Sequence, residues 1–146
     1  MSHIQSIYHI VVSTKNRDMS INPEQSQRLY AYCTAQLNSK GCHVYAINGI
    51  PNHIHILVDL PSTACLADVM RDFKRSTSLW MRTSGYFPVF RGWVKEYAAF
   101  SVSYIQKDAV AGYIAGQHEH HSKLAFEEEY ERLVIRNGLQ MHKPLI

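Results

Sequence analysis

The chain has 146 residues, 46% of them apolar, and a formal net charge of +3. That amounts to one domain, 1–146, able to close a core without disulfides or a structural metal. No window is apolar enough to span a bilayer, and the opening "MSHIQSIYHIVVSTK" lacks the basic head and apolar core of a signal peptide. A cytoplasmic protein with no membrane partner is expected. Cys33, Cys42 and Cys65 are odd in number and lack C-x-x-C spacing, so they signal neither a disulfide framework nor a zinc knuckle.

In chain order, "SIYHIVVSTK" reads as a strand, with Tyr8, Ile10 and Val12 on one face and His9 and Val11 on the other. "NPEQSQRLYAYCTAQLNSKG" reads as a helix with Asn22 at the N-cap, Pro23 at the first helical position and a stop at Gly41. "CHVYAINGI" and "HIHILVDL" are strands joined by the turn "IPN". "PSTACLADVMRDFKRSTSLWMRTSG" is a long helix, with Leu66, Val69, Met70, Phe73 and Thr77 at helical spacing. The later part of "YFPVFRGWVKEYAAFSVS" is a fourth strand. "DAVAGYIAGQHEHHSK" and "AFEEEYERLVIRNG" are two further helices, the last ending at Gly138. The order β-α-β-β-α-β predicts an α+β, ferredoxin-like antiparallel sheet with helices on one face, plus two C-terminal helices. That fold hosts many activities, so function must be argued from sites.

Residues two apart on a strand project from the same face. His53 and His55 therefore point together, and Ile54, Ile56 and Val58 point the other way. Two neutral imidazoles on one face can share a divalent cation, with room for a third protein ligand and for substrate oxygens. The alternative is a pair of partly exposed sheet histidines that hold no metal. In the later helix, Tyr113 and Gln117 are four apart and share a face, with His120 nearly aligned. They are either a core tyrosine with a hydrogen-bond partner or part of a site. Gly112 and Gly116 flank the pair, and each costs a helix interior roughly 1 kcal/mol relative to alanine. The run "QHEHHSK" has no complementary Cys or His cluster for zinc.

A His-hydrophobic-His strand followed by a helix with Tyr-x-x-x-Gln resembles the single-tyrosine HUH transposases of the smallest bacterial insertion sequences. The resemblance runs through "IYHIVVSTK", "IPNHIHILVDLP", "VMRDFKRSTSLWM", "YAAFSVSYIQKDAVAGYIAGQHEHH" and "FEEEYERLV". Asn52 stands where many relatives have aspartate, and "WVKEY" where Trp-Gln-x-x-Tyr is frequent. The resemblance implies that His53, His55 and Gln117 hold Mg2+ or Mn2+. It implies that Tyr113 attacks single-stranded DNA near a hairpin, leaving a 5′-phosphotyrosyl enzyme and a 3′-hydroxyl. It also implies a homodimer with composite active sites, the histidines from one subunit and the tyrosine helix from the other; some members of that family act on repetitive extragenic palindromes.

Basic residues crowd the middle of the chain, at Arg71, Lys74, Arg75, Arg82, Arg91 and Lys95. Lys74, Arg75 and Arg71 are the expected DNA contacts, in the order given, since side-chain cations and hydroxyls bind phosphates. Trp80, Trp93 and Phe90 are either base-stacking platforms or core. Two rival readings remain. A non-enzymatic RRM-like nucleic-acid binder would need an RNP-like aromatic pattern that the strands lack. A metal-dependent phosphoesterase of histidine-triad type would want a third histidine where Leu57 stands.

Overall fold

The computed structural model describes residues 2–117 and 125–139. Strands β1 (Ile7–Ser13), β2 (His43–Ile50), β3 (His53–Asp59) and β4 (Ala98–Val102) form one sheet in the order β2-β3-β1-β4. Every neighbouring pair is antiparallel. Helices α1 (Ser26–Ser39) and α2 (Leu66–Thr83) sit in the two crossovers, and α3 (Lys107–Ala115) and α4 (Phe126–Arg136) follow β4. This is the expected α+β, ferredoxin-like order, and the strand alternation is as read.

The two faces of the sheet have different coverings. Ile10, Val12, Ile54, Ile56 and Val58 pack on Leu29, Cys33 and Leu37 of α1 and on Val69, Met70 and Phe73 of α2. Val11, Ala98 and Phe100 point the opposite way and pack on Phe126, Leu133 and Val134 of α4. Ile7 and Leu57, on that same side, pack on Ile114 of α3. The added helices therefore make a third layer, so the histidine face of the sheet is an interior.

Local details differ from the sequence expectation at the start of α1. The turn Pro23–Gln25 is 3-10, and the Asn22 side chain makes no cap. Its amide donates to the Tyr86 carbonyl oxygen instead, at 2.6 Å. A tertiary partner has taken the group that a local cap would use. The stop at Gly41 holds, since its φ of +81° is the left-handed conformation that glycine adopts without steric cost. Gly49, in the β2–β3 hairpin, has another reason to be glycine. A Cβ there would lie 2.3 Å from the His53 carbonyl oxygen, so the hairpin closes this tightly only because no side chain intervenes.

The aromatic residues of the middle segment are engaged in packing. Trp80 stacks on Tyr32 with ring centroids 4.6 Å apart, and Trp93 donates its indole N–H to Thr77 Oγ1 at 2.9 Å. Phe90 is buried beside Trp93. Cys33 and Cys42 are buried and Cys65 is exposed, all as free thiols. Among the described residues, no helix is long and apolar enough to cross a membrane.

Candidate active site

β3 delivers both histidines to the interior beneath α3 and α4. His55 pairs with Val11 of β1, and His53 with Ser13. Both imidazoles are fully buried, with ring centroids 5.1 Å apart. Ile54 and Ile56, fully buried in the opposite core, fix the strand so that the two rings stay side by side.

α3 brings Tyr113 to the same place. Its ring lies 5.8 Å from that of His55, edge to face. The helix is tied to the sheet at its C-terminal end, where Asn48 of β2 donates to the carbonyl oxygens of Ile114 and Ala115 at 3.1 and 3.2 Å. A side-chain donor from the strand beside β3 thus reaches the last carbonyls of α3 and locks the helix in register with the histidines. Gly116 caps the helix, and Gln117, just beyond, is buried. A Cβ at Gly112 would meet nothing within 4 Å, so no close approach among the described residues demands glycine there.

Glu129 of α4, which the sequence reading missed, joins these groups. It is 2% exposed, and its Oε1 lies 3.3 Å from His53 Nε2 and 3.5 Å from His55 Nε2. Its Oε2 accepts from the Tyr113 hydroxyl and, at 3.3 Å, from the Gln117 amide. One carboxylate thus faces the imidazoles with one oxygen and the phenol with the other. Burial alone would raise the Glu129 carboxyl, but hydrogen bonds from His53, His55 and Tyr113 hold it far below the usual carboxylate range. Burial, and then the Glu129 carboxylate, raise the Tyr113 phenol. The ground state is therefore a phenol donating to a carboxylate.

His53, His55 and Glu129 could hold a metal ion, since one ligand atom from each lies within 4.8 Å of the others. Two imidazole nitrogens and a carboxylate oxygen make a donor set that suits several divalent cations. Gln117 is in the same cluster, attached through Glu129. His120 and the run "HEHHSK" lie outside the described residues.

Further contacts close the site. His9 of β1 places its Nε2 2.7 Å from His55 Nδ1, and the Asn52 Oδ1 lies 2.7 Å from His53 Nδ1. Phe126 stacks on His53 with centroids 3.9 Å apart, and Arg17 pairs with Glu127 at 2.5 Å while lying over the Phe126 ring. These contacts hold the first turn of α4 against the histidines. Next to Tyr113, a cavity of about 280 Å³ opens between β4, α3 and α4, with Phe100, Val102, Gln106 and Arg136 in its wall.

The basic residues expected to meet DNA lie on α2, whose buried side packs on the other face of the sheet. Arg75 is exposed. Arg71 is paired with Asp68 at 3.1 Å and Asp72 at 3.3 Å. Lys74 turns its ammonium to the Val94 and Lys95 carbonyl oxygens, beside the Tyr97 ring, and burial lowers its pKa. Tyr97 and Tyr104, the tyrosines that flank β4, make no contact with the histidine pair among those described; Tyr104 is 59% exposed.

Solved structures share this architecture. A protein from Deinococcus radiodurans R1 described as a transposase superposes with a TM-score of 0.63 at 20% identity, over 80% of this chain and 93% of its own. A REP-associated tyrosine transposase bound to a REP hairpin gives 0.63 at 16% identity, over 85% of this chain and 73% of its own. At those identities the likeness establishes the fold, which is that of a class of compact α+β transposases. The family follows from the sequence: the model described as "Transposase IS200 like" matches residues 2–117, and the chain belongs to that family. Membership implies a DNA-cleaving enzyme. The matched span includes His53, His55, Tyr113 and Gln117 and ends before Glu129. No curated protein matches the chain.

Proposed function

We propose that this protein cleaves and rejoins single-stranded DNA beside a hairpin, through a 5′-phosphotyrosine on Tyr113, with Mg2+ or Mn2+ at His53, His55 and Glu129. The observation that carries this reading is the Glu129 carboxylate, which faces both imidazoles on one oxygen and the Tyr113 hydroxyl on the other. A structural tyrosine needs no such neighbours.

A cation bound here would polarise the scissile phosphate and offset the charge that grows on its oxygens. The rest falls to the chain's own residues. Tyr113 Oη attacks phosphorus, its proton passes to Glu129 Oε2, and a Tyr–O–P bond replaces the bond from phosphorus to the 3′ oxygen. The leaving oxygen takes a proton from water and departs as a 3′-hydroxyl. The phosphotyrosine conserves the energy of the broken bond, so attack by a 3′-hydroxyl rejoins strands without ATP. Gln117, which the resemblance makes a ligand, steadies Glu129 and stands ready at the same cluster. The cavity beside Tyr113, with Arg136 in its wall, offers the incoming strand a berth.

Arg71, Lys74 and Arg75 lie on the far layer, so they suit the phosphates of a hairpin stem rather than the cleaved strand. A hairpin partner is in keeping with the REP hairpin carried by one of the structural relatives. Within the single chain described, Tyr113 lies beside the histidines of its own copy. A homodimer with exchanged tyrosine helices would rebuild the same set across two copies. Mixing Tyr113→Phe with His55→Ala tests this: no recovery of cleavage is expected for sites assembled within one chain, and recovery would establish exchange.

The test of function is an incubation with Mn2+ and a hairpin-bearing single-stranded oligonucleotide, resolved under denaturing conditions. Wild type should yield a covalent protein–DNA band that Tyr113→Phe does not. A band that persists in Tyr113→Phe overturns the assignment. Tight binding of the oligonucleotide with no cleavage by wild type would favour a non-enzymatic binder.

A further inference from the structure

Each histidine of the site has a second buried or half-buried partner on its other ring nitrogen. His55 Nδ1 lies 2.7 Å from His9 Nε2, and the two rings stack with centroids 5.0 Å apart. His53 Nδ1 lies 2.7 Å from Asn52 Oδ1. We propose that His9 and Asn52 are positioning residues that set both imidazoles in the Nδ1–H tautomer, so that each presents its Nε2 lone pair to a divalent cation shared with Glu129. This rests on the metal-site reading above and extends it to residues that touch neither cation nor DNA.

Proton bookkeeping supports it. An amide oxygen only accepts, so the hydrogen bond at His53 requires the proton on its Nδ1. With a cation bound, that leaves Nε2, the atom 3.3 Å from Glu129 Oε1, as the electron-pair donor, in place of the hydrogen bond it gives the carboxylate without metal. Between His9 and His55 there is one proton for two nitrogens. Placed on His55 Nδ1, it is donated to His9 Nε2 and leaves His55 Nε2, 3.5 Å from Glu129 Oε1, as the second donor. Both strands cooperate in this. His55 pairs with Val11, so His9 is its diagonal neighbour across the antiparallel β1–β3 pair, within reach of a ring. Asn52 is held by its own backbone, whose carbonyl oxygen accepts from Thr14 N at 2.9 Å and Thr14 Oγ1 at 3.2 Å. His9 is 4% exposed, so no solvent competes for its nitrogen. Outer partners of this kind orient ligand histidines and raise their basicity, and losing one typically costs about 10–100-fold in metal affinity.

Mn2+ binding by calorimetry on the metal-free protein tests this, with thermal melting without metal as the control for folding. His9→Phe keeps a buried ring but cannot accept, and should bind Mn2+ roughly 10–100-fold more weakly than wild type. His9→Gln restores an acceptor and should return to within about threefold of wild type. Asn52→Leu makes the same test at His53 from a half-buried turn, and serves if His9→Phe does not fold. Wild-type affinity in His9→Phe or Asn52→Leu, with folding intact, would overturn the inference. Absence of Mn2+ binding by wild type itself would instead overturn the metal-site reading.

Discussion

On β3, Ile54, Ile56 and Val58 go into one interior and His53, His55 and Leu57 into the other. The first interior, under α1 and α2, is mostly aliphatic and aromatic, and each fully buried aliphatic side chain there contributes about 1.5–3 kcal/mol. The second, under α3 and α4, borders the cavity beside Tyr113 and holds three imidazoles, a carboxylate, a phenol and a carboxamide. Buried polar groups cost free energy unless they are satisfied, and here they satisfy one another. The period of two lets one strand be scaffold on one side and chemistry on the other.

Substitutions should separate the faces. The largest effect is expected from Tyr113→Phe, which deletes only the hydroxyl: adduct formation should fall by at least about 10⁴-fold, with melting temperature nearly unchanged. Loss of fold in this variant would mean that the hydroxyl is structural. Ile56→Ala, one residue from His55 but facing away, should cost about 2–5 kcal/mol of stability in urea unfolding. Under conditions where it is folded, it should bind Mn2+ as wild type does. A large loss of metal affinity there would show that the faces are not separable.

A smaller contrast comes from pH. Burial, with His55 adding to it, lowers the His9 pKa from 6.5 to about 3. Between those values the unfolded chain binds a proton that the native state refuses, so stability falls as pH drops below about 6.5. Between pH 7 and 4.5 this loss should reach about 1–3 kcal/mol in urea unfolding. Ile56→Ala should keep that slope and His9→Gln should flatten it. The smallest effect belongs to the tie that holds α4. Arg17→Ala removes the partner of Glu127, and an exposed pair of this kind is worth about 0.2–1 kcal/mol. A much larger loss would make Arg17 part of the site's frame.

How much the sequence revealed differs between the faces in the same way. The aliphatic face was legible from alternation alone, and His53, His55, Tyr113 and Gln117 from spacing and family resemblance. Glu129 was not, because Glu127, Glu128, Glu129 and Glu131 form an acidic run in which no one carboxylate stands out. The local signal was its place on the stripe with Phe126, Tyr130 and Leu133, where a lone carboxylate must find a buried partner. His9 was placed on the correct face, but its partner is 46 positions away and only strand register brings the two together. Lys74 shows the reverse case. Its position on α2 suggests a phosphate contact, while the backbone carbonyl oxygens on which its ammonium rests without DNA were not legible in the sequence.

The most direct measurement is the identity of the residue that carries DNA. After reaction with Mn2+ and a hairpin-bearing oligonucleotide, nuclease trimming and tryptic digestion, mass spectrometry should find nucleotide phosphate on peptide 108–123, whose one tyrosine is Tyr113. An adduct on a peptide carrying Tyr97 or Tyr104, or cleavage that leaves no covalent adduct, would contradict the account.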